Sequence, residues 1–151
     1  MDKKEILRQI AELEKLLCVK EQVNSAEDLW PKIKKYGRRK TESFIVITLD
    51  GAHKVIKIHE VTKGIANKTL VHPREVFAPA IADRAVAIVV GHNHPSGSAG
   101  ASEEDKLITL RLQAAGSILA IPVLDSIIIT KHSYSSGLSD GWYSNQGQTT
   151  Q

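Results

Sequence analysis

The sequence predicts a single α/β domain in which a mixed β-sheet is packed between helices. Two observations predict this class. Apolar residues recur at helical spacing near the N-terminus, and from residue 43 onward short β-branched runs alternate with helical segments. The chain has 151 residues, a length that suits one domain with a substantial core.

The N-terminal region is predicted to be helical. Ser25 is expected to cap a short second helix, with Asp28 as its capping-box partner. Pro31 and Gly37 are expected to interrupt the helical pattern after it. The first helix is an amphipathic one over residues 3 to 18, whose apolar face is formed by Ile6, Ile10, Leu13 and Leu17.

The remainder of the chain contains five segments with the composition of strands. Asp50-Gly51 is a turn signal between the first two segments, and Gly64 and Asn67 mark a loop after the second. The third segment is apolar throughout, as is typical of a central strand buried on both faces. The five segments span residues 43–49, 54–61, 85–90, 118–124 and 126–130.

Two further helices are expected between these strands. The first covers residues 71–84, begins at the His-Pro pair at 72–73, and is expected to kink or restart at Pro79. The second begins after Ser102, a favoured cap residue, and is expected to end at Gly116.

Composition excludes several classes of protein and of site. No apolar run approaches the ~18 residues that a membrane helix needs, and the N-terminus has no apolar signal-peptide core. We therefore expect a cytoplasmic protein without a membrane partner. Cys18 is the only cysteine, which excludes an intramolecular disulfide and a thiolate-rich zinc site.

The formal net charge of +3 does not identify a partner, but the basic residues are unevenly distributed. One short run is interpreted as a solvated linker, and attraction of nucleic acid or of an acidic peptide is the alternative. This run consists of Lys32, Lys34, Lys35, Arg38, Arg39 and Lys40.

His92, His94 and Asp105 form a candidate metal site. The two histidines are two residues apart at the end of a buried strand, where positions i and i+2 face the same side roughly 6.5 Å apart. A Gly-rich loop then leads to Asp105 in the first turn of the helix capped by Ser102. Three nitrogen and oxygen ligands are typical of a catalytic zinc site that keeps a position for water, although manganese, iron or nickel also suit them.

Each of these residues also has a structural interpretation. A His-x-His pair alone is a weak signal, and either histidine can serve as a loop hydrogen-bonding group. Asp105 can be only the capping-box partner of Ser102, and Ser102 only a helix cap. The metal hypothesis is favoured because a buried strand, the histidine pair, a Gly-rich loop and a Ser-x-x-Asp helix start occur together.

The run HNHPSG, followed after four residues by SEED, matches the JAMM (MPN-plus) metalloprotease pattern of His-x-His, Pro and Ser-x-x-Asp. Within that group the chain resembles the bacterial RadC family. The supporting stretches cover about residues 42 to 129 and are TESFIVITLDG, VTKGIANKTLVHPREVFAPAI, AIVVGHNHPSG, SEEDKLITLRLQAAG and IPVLDSIII.

The resemblance implies a JAMM/MPN-like fold, with the layer arrangement of cytidine-deaminase-like proteins, and one zinc ion per chain. It makes His92, His94 and Asp105 the zinc ligands and Ser102 a donor to the tetrahedral intermediate. Glu42, just before a strand, matches the glutamate that takes a proton from the attacking water and passes it to the leaving amine.

Glu42 has a competitor and a structural alternative. Glu75, in HPREVF, is the competing candidate for the base. If Glu42 is not the base, it is expected to be an exposed carboxylate that pairs with Arg39 or Lys40.

The chain departs from the family's pattern in two ways. Family members commonly carry an N-terminal helical domain, whereas only about forty residues precede the matched region here. We therefore predict a short stand-alone form, with a helical segment and basic linker over residues 1–41, the JAMM domain over 42–143 and a disordered tail over 144–151. The family's Leu-Asp-His appears as Leu124-Asp125-Ser126, so a contact near the site is expected to differ.

Three functions follow from these patterns. The leading hypothesis is a zinc-dependent metallohydrolase, peptidase- or isopeptidase-like, that acts on a peptide or protein. The second is a nucleic-acid repair or prophage-type accessory protein, supported by the basic run and by the family's DNA-repair association. The third is a metal-bound interaction domain without activity, for which the amphipathic first helix could mediate self-association.

Overall fold

The structure is a computed structural model that describes residues 1–17, 22–64 and 71–145. Cys18, Asn67 and most of the predicted tail, residues 146–151, lie outside these ranges. The elements in chain order are helix α1 (Lys3–Leu17), helix α2 (Ala26–Ile33), a 3₁₀ helix (Lys34–Arg38), strand β1 (Ser43–Leu49), strand β2 (Val55–Lys63), helix α3 (Pro73–Ala82), strand β3 (Ala87–Asn93), helix α4 (Glu103–Leu119), strand β4 (Val123–Ile129), strand β5 (Tyr134–Ser136) and helix α5 (Gly137–Asp140).

The strands form one mixed sheet in the order β2-β1-β3-β4-β5. β1 pairs antiparallel with both β2 and β3, whereas β3 and β4 are parallel and are connected by α4. All seven residues of β3 are buried, as expected for a central strand covered on both faces. The predicted α/β class, with a mixed sheet between helices, is confirmed.

Alternate residues of each strand face opposite sides of the sheet, so two cores form. One core includes side chains from β1, β3, α3 and α4: Phe44, Val46, Val76, Phe77, Ile88, Val90, Ile108 and Leu112. The other includes side chains from α2, the 3₁₀ helix, β1, β3 and β4: Leu29, Ile33, Tyr36, Ile45, Ile47, Val89, Ile127 and Ile129. The candidate metal ligands lie on the α4 side.

The predicted boundary between α4 and β4 is wrong. The helix continues past Gly116 to Leu119, and Ala120 takes the left-handed conformation (φ 57°) that ends it. Gly116 is needed for a different reason, since a Cβ there would lie 2.5 Å from the Ile121 carbonyl oxygen. The two strands predicted at 118–124 and 126–130 are in fact the single strand β4.

Both prolines lie inside helices, so Pro31 does not interrupt α2 and no new helix starts at Pro79. α2 continues through Pro31, and α3 continues through Pro79. Each proline removes one backbone N–H donor, which leaves the carbonyl four residues earlier without its helical bond. Those carbonyls belong to Glu27 and Glu75, which are exposed, so water can reach this part of each helix.

The basic run lies partly on the 3₁₀ helix, which packs against the sheet. Tyr36 and Gly37 are buried, while the neighbouring lysines face solvent. A Cβ on Gly37 would lie 2.0 Å from the Thr130 carbonyl oxygen, so glycine permits the close approach to the end of β4. The domain boundary at residue 41 stays a prediction.

Helix α1 lies at the N-terminal end of the described chain, and β5 and α5 lie near its C-terminal end. α1 carries exposed apolar side chains, and no helix in the described ranges is long and apolar enough to cross a bilayer. β5 and α5 were not predicted, because three and four residues are too few to show a period. The exposed apolar residues of α1 are Ile6, Leu7, Ile10 and Leu13.

Candidate metal centre

His92 and His94 are positioned by the carboxyl end of the central strand. His92 belongs to β3, and His94 follows it directly with its N–H donating to the Ile129 carbonyl 2.9 Å away. This bond extends the pairing with β4 beyond the strand and holds the second histidine in the extended conformation. The relative exposures are 1% for His92 and 9% for His94, so both imidazoles are removed from bulk water.

Asp105 is positioned by the first turn of α4. The N–H of Ser102 donates to Oδ2 of Asp105 at 2.8 Å, and the N–H of Asp105 donates to Oγ of Ser102 at 3.1 Å. The capping box offered as the structural interpretation therefore exists. It fixes the orientation of a carboxylate that is 0% exposed and faces the two histidines.

The three side chains converge on one point. Nε2 of His92 lies 3.0 Å from Nε2 of His94 and 3.0 Å from Oδ1 of Asp105. Nε2 of His94 lies 3.1 Å from Oδ2 of Asp105. Within the described part of the chain, these three residues form the one group of His, Cys, Asp or Glu whose ligand atoms all lie within 4.8 Å of one another.

The hydrogen bonds of His94 determine which nitrogen can bind a metal. Its Nδ1 lies 2.8 Å from the carbonyl oxygen of Ser98. A carbonyl oxygen can only accept, so Nδ1 carries the proton and donates it. In the neutral ring Nε2 then presents its lone pair to the centre, which is the usual arrangement of a metal-binding histidine.

The donor set fits a divalent metal ion. Nitrogen lone pairs and a carboxylate at these distances repel one another unless protons or a cation lie between them. Tetrahedral zinc with bonds of about 2.0–2.1 Å separates its ligands by roughly 3.3 Å, and the observed separations are 3.0 to 3.1 Å. His92, His94 and Asp105 could therefore hold one ion, as predicted from their spacing.

Glu42 directly precedes β1, whose register with β3 relates it to the candidate metal ligands. Phe44 of β1 is paired with His92 of β3 in an antiparallel ladder, and residues opposite each other in such a ladder face the same side. Continued two residues beyond this pair, the register would set Glu42 opposite His94. Glu42 is half-buried, and its carbonyl accepts the N–H of Gly64 at 2.7 Å.

The other candidate residues have different surroundings. Glu75 is exposed in the first turn of α3. Ser102 is exposed at the cap of α4, where its hydroxyl oxygen accepts one backbone N–H and its own proton is a separate donor. Arg39, the partner suggested for Glu42, forms an ion pair with Glu60.

Two polar contacts beside the site were not predicted. Asn93, between the two histidines, hydrogen-bonds the backbone of residues 41 and 43 through its side chain. Oγ1 of Thr109 lies 2.8 Å from the Asp105 carbonyl and 3.1 Å from Oγ of Ser126, which ties the first turns of α4 to β4. The change of the family's histidine to Ser126 could have drawn attention to this contact.

Asp125, next to Ser126, has a structural role. Burial raises the pKa of the Asp125 carboxyl above its usual range, although Ser136, Leu138 and Ser126 donate hydrogen bonds that oppose the shift. Its Oδ1 accepts the N–H groups of Ser126 at 2.8 Å and of Leu138 at 3.0 Å. The side chain therefore connects β4 to α5.

Comparison with known proteins places this chain in a family. The family model of the RadC-like JAB domain matches residues 23–142. A UPF0758 protein of Methanospirillum hungatei is 52% identical over 101 residues, which are 67% of this chain and 45% of that protein. A UPF0758 protein of Geobacter sulfurreducens is 40% identical over 129 residues, which are 85% of this chain and 56% of that protein.

A UPF0758 protein of Staphylococcus haemolyticus is 44% identical over 102 residues, which are 68% of this chain and 45% of that protein. The chain thus spans about half the length of the relatives it matches. The matched region contains all three candidate metal ligands and Glu42. The chain belongs to the RadC-like JAB domain family.

Proposed function

We propose that this protein is a zinc-dependent hydrolase that cleaves peptide or isopeptide bonds in a peptide or protein substrate. The observation that carries the proposal is the convergence of two buried imidazole nitrogens and one buried carboxylate at the end of the central strand. Three protein ligands are typical of catalytic zinc. Zinc held there supplies Lewis acidity that makes water nucleophilic at neutral pH.

Glu42 is the general base in this proposal. Its carboxylate accepts a proton from the attacking water and then donates that proton to the amine that leaves, so that the carboxylate is regenerated. Its place opposite His94 in the register supports this role, because a base must lie within hydrogen-bond reach of the proton it takes.

Ser102 stabilises the negative charge that develops on the carbonyl oxygen of the substrate. The hydroxyl oxygen is held by the N–H of Asp105, which leaves the hydroxyl proton as a donor at the exposed edge of the site. A donor placed where charge develops in the transition state lowers the barrier to reaction.

A peptide library made from a bacterial proteome tests the proposal, with new N-termini read by mass spectrometry. Zinc-loaded wild-type protein is expected to generate new N-termini, and Glu42→Gln is expected to lose them while keeping its zinc. Glu75→Gln is the matched control and is expected to retain activity. Cleavage by Glu42→Gln at the wild-type rate would contradict the role of Glu42.

Nucleic-acid binding is the second candidate. The observation in its favour is that the 3₁₀ helix, with its exposed lysines, packs through Gly37 on the carbonyl of Thr130, the residue before the exposed Lys131. Phosphate contacts would give a steep fall of affinity with salt. Titration of a 20-nucleotide single strand at several salt concentrations tests this; absent or salt-independent binding excludes it.

A further inference from the structure

We infer that Asn93 is a positioning residue that holds Glu42 over the metal centre. This inference rests on the proposed function of Glu42 as the base. Asn93 stands between the two histidines, and its side chain binds the backbone on either side of Glu42. One carboxamide thereby joins the segment that carries the ligands to the segment that carries the base.

The contacts of Asn93 are short and buried. Its Oδ1 accepts the N–H of Ser43 at 2.6 Å, and its Nδ2 donates to the carbonyl oxygen of Thr41 at 2.9 Å. The side chain is 1% exposed, so water cannot replace these bonds without a local opening. A buried polar group that loses its partner costs more than the same group at the surface.

The ladder between β1 and β3 needs this side chain at its end. The last regular pair is Phe44 with His92. A regular antiparallel ladder would next bond Ser43 to the carbonyl of residue 93 and Thr41 to the N–H of residue 95. Residue 95 is proline and has no N–H. The Asn93 carboxamide supplies both the acceptor and the donor instead.

Glu42 is thus held from both neighbouring strands. On the β3 side the Asn93 side chain binds the two flanking residues, and on the β2 side the N–H of Gly64 binds the Glu42 carbonyl at 2.7 Å. The side chain of Glu42 then leaves a backbone segment that is hydrogen-bonded on each side. Displacement of a catalytic group by about 1 Å can lower a rate about 10²-fold, so this restraint matters for catalysis.

The test compares Asn93→Ala with Thr48→Val. Thr48 is buried toward the other end of β1, where its hydroxyl donates to Asp83 at 2.8 Å. Loss of the Thr48 hydroxyl therefore removes a buried hydrogen bond from the same strand at a distance from Glu42. Asn93→Asp is the second variant if Asn93→Ala does not fold, since it keeps the acceptor for Ser43 and replaces the donor to Thr41 with a second carboxylate oxygen.

Two readouts do not depend on activity. In cobalt-loaded protein the pseudocontact shifts of the Glu42 side chain report its position relative to the metal, and amide exchange at Ser43 reports the lost bond. Asn93→Ala is expected to shrink those shifts at least twofold and to speed exchange at Ser43 at least tenfold, with metal content unchanged. Asn93→Asp is expected to shrink the shifts by a smaller amount, and Thr48→Val to leave both readouts as in wild type.

Activity gives the third readout. Asn93→Ala is expected to lower kcat about 10²-fold with KM unchanged, while Thr48→Val keeps the wild-type kcat. Wild-type pseudocontact shifts and Ser43 exchange in Asn93→Ala would overturn the inference, as would equal changes in Thr48→Val. If the wild-type protein cleaves nothing, the proposed function fails, and the two spectroscopic readouts still decide whether Asn93 positions Glu42.

Discussion

The imidazole of His92 stacks on the ring of Phe44, with centroids 6.0 Å apart and 5° between the planes. Phe44 and His92 are opposite each other on β1 and β3. This contact places the first candidate metal ligand against the core that packs on α4. Glu42 lies two residues before Phe44 and His94 two residues after His92, so the same register, extended past the last pair, would bring the proposed base and two candidate ligands to one side of the sheet.

The role of Asp105 in metal binding can be separated from its role in the capping box of α4. Asp28 occupies the same position in the first turn of α2 and accepts the N–H of Ser25 at 3.2 Å. Asp105→Asn and Asp28→Asn are each expected to lower the free energy of unfolding by up to about 1 kcal/mol. Only Asp105→Asn is expected to lower zinc affinity, by at least tenfold in competition with a chromophoric chelator.

Zinc binding by Asp105→Asn with wild-type affinity would show that this carboxylate serves the helix alone. Because the same substitution is made in two capping boxes, a general loss of stability cannot explain a loss of zinc affinity in only one of the variants.

The sequence predicted the elements of the site better than their boundaries. The His92–His94 pair and the Ser102–Asp105 capping box were predicted because both depend on spacing in the sequence. The histidines are two residues apart on a strand, and the capping-box residues are three apart at the start of a helix. The length of α4 was missed because Gly116 suggested a helix end, whereas its lack of a side chain serves close packing on Ile121.

Asn93 could not be predicted to bind residues 41 and 43, because those contacts span about fifty positions and depend on which strands are neighbours. The same is true of the contact of Thr109 with Ser126. The order of the strands follows from packing of the whole chain, and a local pattern does not contain it.

Ser102 is expected to act on catalysis without being a metal ligand. Ser102→Ala should keep zinc, lose about 1 kcal/mol of stability through the cap, and lower kcat by about 10²- to 10³-fold. Ser102→Thr keeps the hydroxyl and the cap and is expected to retain most of the activity. An unchanged kcat in Ser102→Ala, measured on a peptide that the wild type cleaves, would remove Ser102 from the mechanism.

Gly37 is expected to be required for packing of the 3₁₀ helix. In Gly37→Ala the new methyl group would lie 2.0 Å from the Thr130 carbonyl oxygen and 3.2 Å from Cγ2 of Ile129. Relief of such overlap typically costs about 1–3 kcal/mol, measurable by urea denaturation. Gly51→Ala is the control, because its Cβ would meet only Val86 at 3.9 Å; equal stability of the two variants would contradict the packing.

Asp125 is expected to make stability depend on pH. Because burial raises its folded-state pKa above the unfolded value of about 3.9, the folded state binds the proton more tightly. The resulting stabilisation is fully present below about pH 4 and is lost as pH rises through the raised pKa. Asp125→Asn cannot titrate and retains an oxygen that can accept from Ser126 and Leu138.

The free energy of unfolding of wild type is therefore expected to fall relative to that of Asp125→Asn as pH rises from about 4 toward 7. Urea denaturation of both proteins at several pH values measures the difference. Parallel curves over this range would show that the carboxyl has the same pKa in the folded and unfolded states.

The metal content of the protein tests the central claim most directly. Elemental analysis is made on wild type and on a His92→Ala, His94→Ala double variant, each reconstituted with zinc and dialysed. The account predicts close to one zinc per wild-type chain and none in the variant, whose circular dichroism confirms folding. Wild-type protein that retains no stoichiometric zinc, or a folded variant that retains as much as wild type, would contradict it.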